Sequence, residues 1–376
     1  MTKPRVGRRD FLRDIAGSAA AMSILPRTSN AQTPAKTVSP KLKFAVIGIN
    51  HSHINSQVDA VLRGGGELVP VFAKEPDLVD AFVKRFPQAK RAREEKEVLE
   101  DKSVQLVLSS GIPVDRAPLG IRVMKHEKDY MSDKPGVTTL AQLAEARKVQ
   151  AETKRIYSIM YSERFENRAT VKAGDLVKGG AIGRVIQTIG LGPHRITPAS
   201  RPEWFWHKEQ FGGILCDIAS HQGDQFLFFT GSTSGEVVSS QVANVNHPDK
   251  PGFEDFGDVT LRGNRGVGYI RVDWFTPDGL ATWGDGRLTI LGTDGFIEIR
   301  KNVDIGGREG PSHLFLVDQK GTRYIDTKDV DLPYGAALVN DVVNRTETAM
   351  TQAHCFLATE LMLTAQAKAQ RVTFTS

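Results

Sequence analysis

Two clusters of ionisable side chains in this sequence have the types and spacing for proton transfer. One is Asp133-Lys134-Pro135, a carboxylate and an ammonium closing a short apolar run. The other is Gly212-Gly213 followed by Asp217, His221 and Asp224, which share one face if the segment is helical. A carboxylate beside an imidazole raises its basicity and orients it as a general base. Each cluster alone also has a plainer reading, as a turn with solvated charges or a helix surface pair.

A third cluster, Gly48-Ile49-Asn50-His51-Ser52-His53, follows a β-branched run and precedes a helical stretch. A dinucleotide turn wants glycine at three positions, for a tight bend, close approach to pyrophosphate and helix packing. Only Gly48 is present. Asn50 tolerates left-handed geometry and stands at the second position. His53 stands at the third, at a helix start where an imidazole reaches phosphate, with His51 beside it. The same His-x-His spacing suits a metal, with His221 as a further ligand, although coordination needs three or four converging groups. No metal site is assigned. After the second strand, Ala73 occupies the place of the usual ribose-binding acid and Lys74 follows. That exchange favours a 2′-phosphate and hence NADP over NAD, unless Lys74 is simply solvated. Ser109, which closes a buried strand, and Asp133 complete the candidate cofactor contacts. Trp204-Phe205-Trp206-His207 is either an aromatic wall for a sugar ring or core packing.

The elements that position these residues fall into two halves. From residue 43 to 163, short apolar runs (43–48, 68–72, 104–109, 129–132, 156–161) alternate with helical stretches, among them 56–62, 76–86, 117–126 and 139–153. That alternation predicts a doubly wound parallel sheet. From 164 to 376 the strands gather with few intervening helices, predicting an α+β domain on a mostly antiparallel sheet. It opens with helix 170–178, holds one helix over 213–229, and closes with a helix near 354–370.

Ahead of these, residues 1–31 read as an export signal and 32–42 as a linker. Arg8-Arg9-Asp10-Phe11-Leu12 is followed by a mildly apolar stretch and a small-residue site at Ser29-Asn30-Ala31. An arginine pair before Phe-Leu resembles the twin-arginine signal, implying the twin-arginine export machinery as a partner and a periplasmic location. No later stretch approaches a membrane span, so no stable membrane anchor is expected. The 376 residues are 40% hydrophobic and 25% charged, an ordinary globular composition. The net charge of +5 comes mainly from the first 31 residues, so the body is close to neutral and nucleic acid is not the expected partner. Two cysteines exclude a disulfide framework.

The order strand–turn–helix, Asp-Lys-Pro after the fifth strand, then Gly-Gly-x-x-x-Asp-x-x-x-His resembles the Gfo/Idh/MocA family of oxidoreductases over nearly all of residues 43–376. The resemblance implies a nicotinamide Rossmann domain, an open-sheet second domain, substrate at the seam and a homo-oligomer. It matches Lys134, Asp217 and His221 to the family's catalytic positions, and Asp224 to an acidic position often found after the histidine. It departs from the family at the glycine turn and at the ribose acid. The implied chemistry is hydride transfer between a sugar or polyol and nicotinamide. His221 takes the hydroxyl proton, Asp217 orients it and Lys134 holds the reacting oxygen. An exported enzyme meets no free nicotinamide pool, so NADP or NAD is expected to be non-dissociating, with paired substrates or a redox-neutral cycle. Two alternatives remain: a cofactor-free carbohydrate-binding protein, and a metal-dependent lyase or hydrolase.

Overall fold

The structure is a computed structural model that describes residues 42–374. The export signal read in residues 1–31, and the linker up to residue 41, lie outside the described residues. Six strands make the first sheet: β1 (Leu42–Ile47), β2 (Gly66–Phe72), β3 (Lys90–Arg91), β4 (Leu106–Ser109), β5 (Asp129–Asp133) and β6 (Tyr157–Met160). All are parallel, in the order β3-β2-β1-β4-β5-β6. The connections carry α1 (Ile54–Arg63), α2 (Pro76–Arg85), α3 (Glu95–Glu100), α4 (Pro113–Lys125) and α5 (Leu140–Thr153). β4 is buried throughout, as the continuous Leu-Val-Leu run requires of a strand covered on both faces. Pro76 and Pro113 start α2 and α4, where a missing N–H has no consequence. Thr139 caps α5 by accepting from the Gln142 amide.

Beyond β6 come α6 (Ser162–Phe165) and α7 (Arg168–Lys178), then β7 (Val185–Pro193), α8 (Lys208–Phe211), α9 (Ile214–Asp217) and α10 (Ala219–Thr230). The remaining strands are β8 (Gly235–Ala243), β9 (Phe256–Gly263), β10 (Val267–Asp273), β11 (Arg287–Gly292), β12 (Gly295–Arg300), β13 (His313–Asp318), β14 (Gly321–Ile325) and β15 (Gln370–Arg371). With β7 they form a nine-stranded sheet, β14-β13-β12-β11-β7-β10-β9-β8-β15. Only β10–β7 and β15–β8 pair in parallel. The fold is therefore the predicted one: a parallel, doubly wound α/β unit followed by a mostly antiparallel α+β sheet. One face of the second sheet carries α10 and, at its edge, α12 (Gln352–Lys368).

Helix α11 (Tyr334–Asn344), which the sequence pattern did not flag, returns to the first sheet. A Cβ on Gly335 would lie 1.9 Å from the Ala60 carbonyl oxygen, so only glycine lets α11 cross α1 this closely. Buried hydrogen bonds tie both C-terminal helices to β6. Gln352 Oε1 accepts from the Tyr157 amide at 2.8 Å, and Ser158 and Tyr334 hydroxyls lie 2.9 Å apart. The predicted helix over 213–229 runs as α9 and α10, which meet at Ile218 with its backbone still in right-handed helical angles. Among the described residues no helix is long and apolar enough to cross a membrane.

Candidate active site

β1 lies between β2 and β4, so successive connections leave it on opposite faces and open a cleft at the strand ends. Gly48 makes the turn at φ +78, its amide donating to the Phe72 carbonyl at 2.9 Å. A Cβ there would meet Gly111 Cα at 3.1 Å, so two glycine backbones form a bare cradle. The cleft, about 270 Å³, is also lined by Asn50, Lys74, Glu75 and Ser109. Bare backbone at a strand–helix switch suits a pyrophosphate-bearing cofactor.

Three expectations at this turn need correction. Asn50 does not take left-handed geometry; its amide donates to Glu75 Oε1 at 2.8 Å and thereby pins a carboxylate at the cleft. Ala73 carries no charge, and a carboxylate, Glu75, stands at the cleft two residues later. His51 and His53 do not line the cofactor cleft but the neighbouring cavity. The cause is Asp133. It pairs with the buried Arg116 guanidinium at 3.1 Å, accepts from Ser110, and lies 3.0 Å from His53 Nδ1. Asp133 is therefore a buried anchor for the histidine turn and lines neither cavity, whereas it was expected among the cofactor contacts.

His51, His53 and Asp133 offer ligand atoms within 4.8 Å of one another. Asp133 is already neutralised by Arg116, and Lys134 stands next in sequence, so a divalent cation there would face two positive charges. Burial and the neighbouring His53 hold His51 well below the usual imidazole range. Its Nδ1 accepts from the His53 amide at 3.3 Å.

The second cavity, about 530 Å³, gathers Lys134, Asp217 and His221 as expected, together with Glu163 and His194, which sequence spacing did not single out. Lys134 Nζ donates to Asp217 Oδ1 at 2.8 Å, and the lysine is only 7% exposed. Burial alone would raise the Asp217 carboxyl, but the Lys134 charge and hydrogen bond hold it below its ordinary value.

The expected Asp217–His221 dyad does not form. Asp217 belongs to Lys134, and His221 Nδ1 is buried without a hydrogen-bond partner among the described residues. The carboxylate acting on His221 is Glu163, itself tied to Lys301 and to Gln222 Nε2 at 3.0 Å. Burial pushes His221 down to about 3, Glu163 opposing and Lys134 and Lys301 reinforcing the drop. Burial and Lys134 likewise bring His194 to about 4. Glu163, despite burial, is held near 2 chiefly by Lys301 and His221.

Asp224, expected on the same face, points elsewhere. It is fully buried against Arg164 and His354 and lines neither cavity. Trp204 and Phe205 do line the second cavity, joined by Trp274 and Trp283, while Trp206 packs inward.

Two neutral buried histidines make folding acid-sensitive. Their folded pKa values lie below the unfolded value, so they favour the fold fully above about pH 6.5. That contribution is lost as pH falls from there towards 4 and 3. His221 alone accounts for at most several kcal/mol. The melting temperature is expected to fall steadily from pH 7 to pH 4.5, and a His221→Asn variant to fall less steeply. Equal slopes would show that His221 is protonated at no cost.

Residues 170–298 match the family profile described as the GFO/IDH/MocA C-terminal domain. A solved structure from Erwinia carotovora atroseptica SCRI1043, provisionally described as an oxidoreductase, is 45% identical, with TM-score 0.86 and coverage of 88% of this chain and 100% of that one. The chain belongs to the GFO/IDH/MocA family. Two further structures share the fold. An oxidoreductase from Agrobacterium radiobacter, in complex with NAD+, L-tartaric acid and magnesium, is 17% identical with TM-score 0.72, covering 88% and 96% of the two chains. A 3-ketoreductase from Actinomadura kijaniata, in complex with NADP, is 14% identical with TM-score 0.71, covering 89% and 99%. No curated protein matches the chain.

Proposed function

We propose that this GFO/IDH/MocA oxidoreductase is exported, retains a nicotinamide dinucleotide, and oxidises a carbinol carbon, or reduces the corresponding carbonyl, of a sugar or sugar derivative. The observation that carries the reading is the buried Lys134–Asp217 pair beside His221, in an aromatic-walled cavity next to a glycine cradle. Gly48, Gly111 and Ser109 would hold the pyrophosphate side, and Asn50 with Glu75 the ribose. When bound, the nicotinamide supplies a two-electron hydride donor or acceptor. The side chains do the rest. Lys134, steadied by Asp217, hydrogen-bonds the reacting oxygen, giving it a proton when the carbonyl is reduced and, as the free amine, taking one when the carbinol is oxidised. His221, too reluctant a base to store a proton, stays neutral and aligns the hydroxyl. Levoglucosan dehydrogenase, bound to NADH and levoglucosan in its own structure, shares the fold at 16% identity and TM-score 0.71, which is in keeping with a carbohydrate substrate.

Lys74 supports NADP, as its charge at the cleft suggested, but Glu75 beside it leaves no surplus positive charge for a 2′-phosphate. NAD is therefore the expected partner. Export rests on Arg8-Arg9 and the apolar stretch behind them. A periplasmic enzyme without a nucleotide pool must recycle what it holds, favouring paired substrates or a redox-neutral cycle. Homo-oligomerisation rests on the outer face of the second sheet, where exposed Val267, Leu291 and Phe296 fall in neighbouring register. Light scattering would read it.

The test is mass spectrometry of nucleotide released on denaturing protein recovered from the periplasm. Stoichiometric NAD(H) is expected, and Glu75→Ala should shift retention towards NADP(H) by roughly tenfold, on the order of 1.4 kcal/mol. Protein carrying lysine at both Arg8 and Arg9 should stay in the cytoplasm. An empty supernatant that neither nucleotide refills would overturn the reading.

A further inference from the structure

The cations facing the substrate cavity are paired, with one exception. Arg116 is neutralised by Asp133, Lys134 by Asp217, and Lys301 by Glu163; Arg195 lies 3.4 Å from the exposed Asp278. Arg201 has no carboxylate within ion-pair distance among the described residues, although it lines the same cavity. It is nevertheless rigidly held. Nε donates to the Ile196 carbonyl at 2.6 Å and Nη2 to the Arg195 carbonyl at 3.1 Å. The guanidinium carbon stands 4.6 Å from the Phe205 ring centre and 4.8 Å from that of Trp274. Burial lowers its pKa, with only the already paired Asp217 acting against that.

A half-buried guanidinium fixed by two carbonyls and two rings, with Nη1 making no hydrogen bond to the described protein, is preorganised for an anion. The backbone carbonyls occupy one edge of the fork. The other edge presents parallel N–H groups, the geometry that a carboxylate accepts bidentately. A single uncompensated charge suits a monoanion better than a phosphate dianion. Carboxylate on Arg201, ring against Trp274 and hydroxyl on Lys134 would lie along one cavity.

We propose that the substrate is a sugar acid, an aldonic or uronic acid whose carboxylate is bound by Arg201. This rests on the oxidoreductase reading of the Lys134 cavity for the chemistry, but the binding half can be read without turnover. Trp204, Trp274 and Trp283 all line the cavity, so their fluorescence reports occupancy. The probes are D-glucuronate and D-gluconate against D-glucose, titrated into the enzyme as purified with its nucleotide. At least one acid should bind tenfold or more tightly than glucose, with affinity that weakens as salt rises. Arg201→Gln should raise the dissociation constant, and KM where turnover is seen, for the acid by ~10–100-fold, with a much smaller effect on glucose. Arg201→Lys should recover part of that, since it keeps the charge and loses the fork. Melting curves exclude a folding defect in either variant.

Equal binding of acid and neutral sugar by the wild type would overturn the proposal. So would an Arg201→Gln variant that folds and weakens both alike, because Arg201 would then only brace the aromatic wall. Acid binding that depends on Arg201, in a protein that neither holds nor takes up nucleotide, would sustain the carboxylate site while the oxidoreductase reading failed.

Discussion

Replacing Lys134 with methionine is expected to lower kcat by ~10²–10⁴-fold in the nucleotide-loaded enzyme, with nucleotide content close to wild type and a melting temperature lowered by the unpaired Asp217. Methionine keeps the stem that packs in the cavity and removes only the ammonium. That ammonium is the group bonded to Asp217, and a proton donor to the reacting oxygen has no replacement nearby. His194 and His221 are held neutral at about 4 and about 3, so neither delivers a proton near pH 7. Asp217→Asn should fall between wild type and Lys134→Met, because the ammonium remains but loses its fixed partner. His221→Asn should raise KM more than it lowers kcat if the imidazole aligns the hydroxyl. A Lys134→Met loss confined to KM would reduce the lysine to a binding group, and a His221→Asn variant as inactive as Lys134→Met would restore the histidine as base. Acid should inhibit the wild type only below the ordinary carboxylate range, because the lysine holds Asp217 ionised to lower pH.

What could be read from the sequence divides along one physical line. Apolar runs alternating with helical stretches placed five of the six strands of the first sheet within about two residues, most plainly β1 and β4, which are nearly continuous apolar runs; the two-residue β3 was missed. Lys134 and Asp217 were legible through the family resemblance, since each cluster alone reads as well as a turn with solvated charges or a helix surface pair. Their bond to each other was not, since 83 residues separate them. The Asp217–His221 pairing failed because Lys134, far away in sequence, takes the Asp217 carboxylate, and helical spacing says nothing of such a competitor. Glu163, Lys301 and Arg201 left no signal, because their roles come from charges supplied by distant segments. Glu75 was within reach: it is an acid two residues past the usual position, with an asparagine on the facing turn to hold it. His51 and His53 were seen as chemical residues, but the cleft they face is decided by Asp133, on a different strand.

Arg164→Leu should destabilise the protein by about 3–5 kcal/mol, a drop in melting temperature of roughly 5–10 °C. Asp224 is 0% exposed and receives Nε and Nη2 of Arg164 at 2.6 and 2.7 Å, with His354 Nε2 at 2.8 Å. Burial would raise its carboxyl, and the guanidinium more than offsets that. Without the arginine a buried carboxylate loses most of its compensation, whereas removing both charges costs much less. Adding Asp224→Asn to Arg164→Leu should therefore recover most of the loss. The defect should also shrink as pH falls through the carboxylate range, because protonation then neutralises Asp224 in the variant. A loss under about 1 kcal/mol, or a double variant no better than the single, would show that the clasp is not what orders this region. The same clasp reaches the active site. Arg164 follows Glu163 on α6, and Asp224 lies one turn beyond His221 on α10, so the ion pair sets the distance between the carboxylate and imidazole that face the substrate. Activity should fall with stability in Arg164→Leu even well below its melting temperature, and return with the double variant. That outcome would account for an acidic residue after the histidine that touches no substrate: it fixes where the histidine stands.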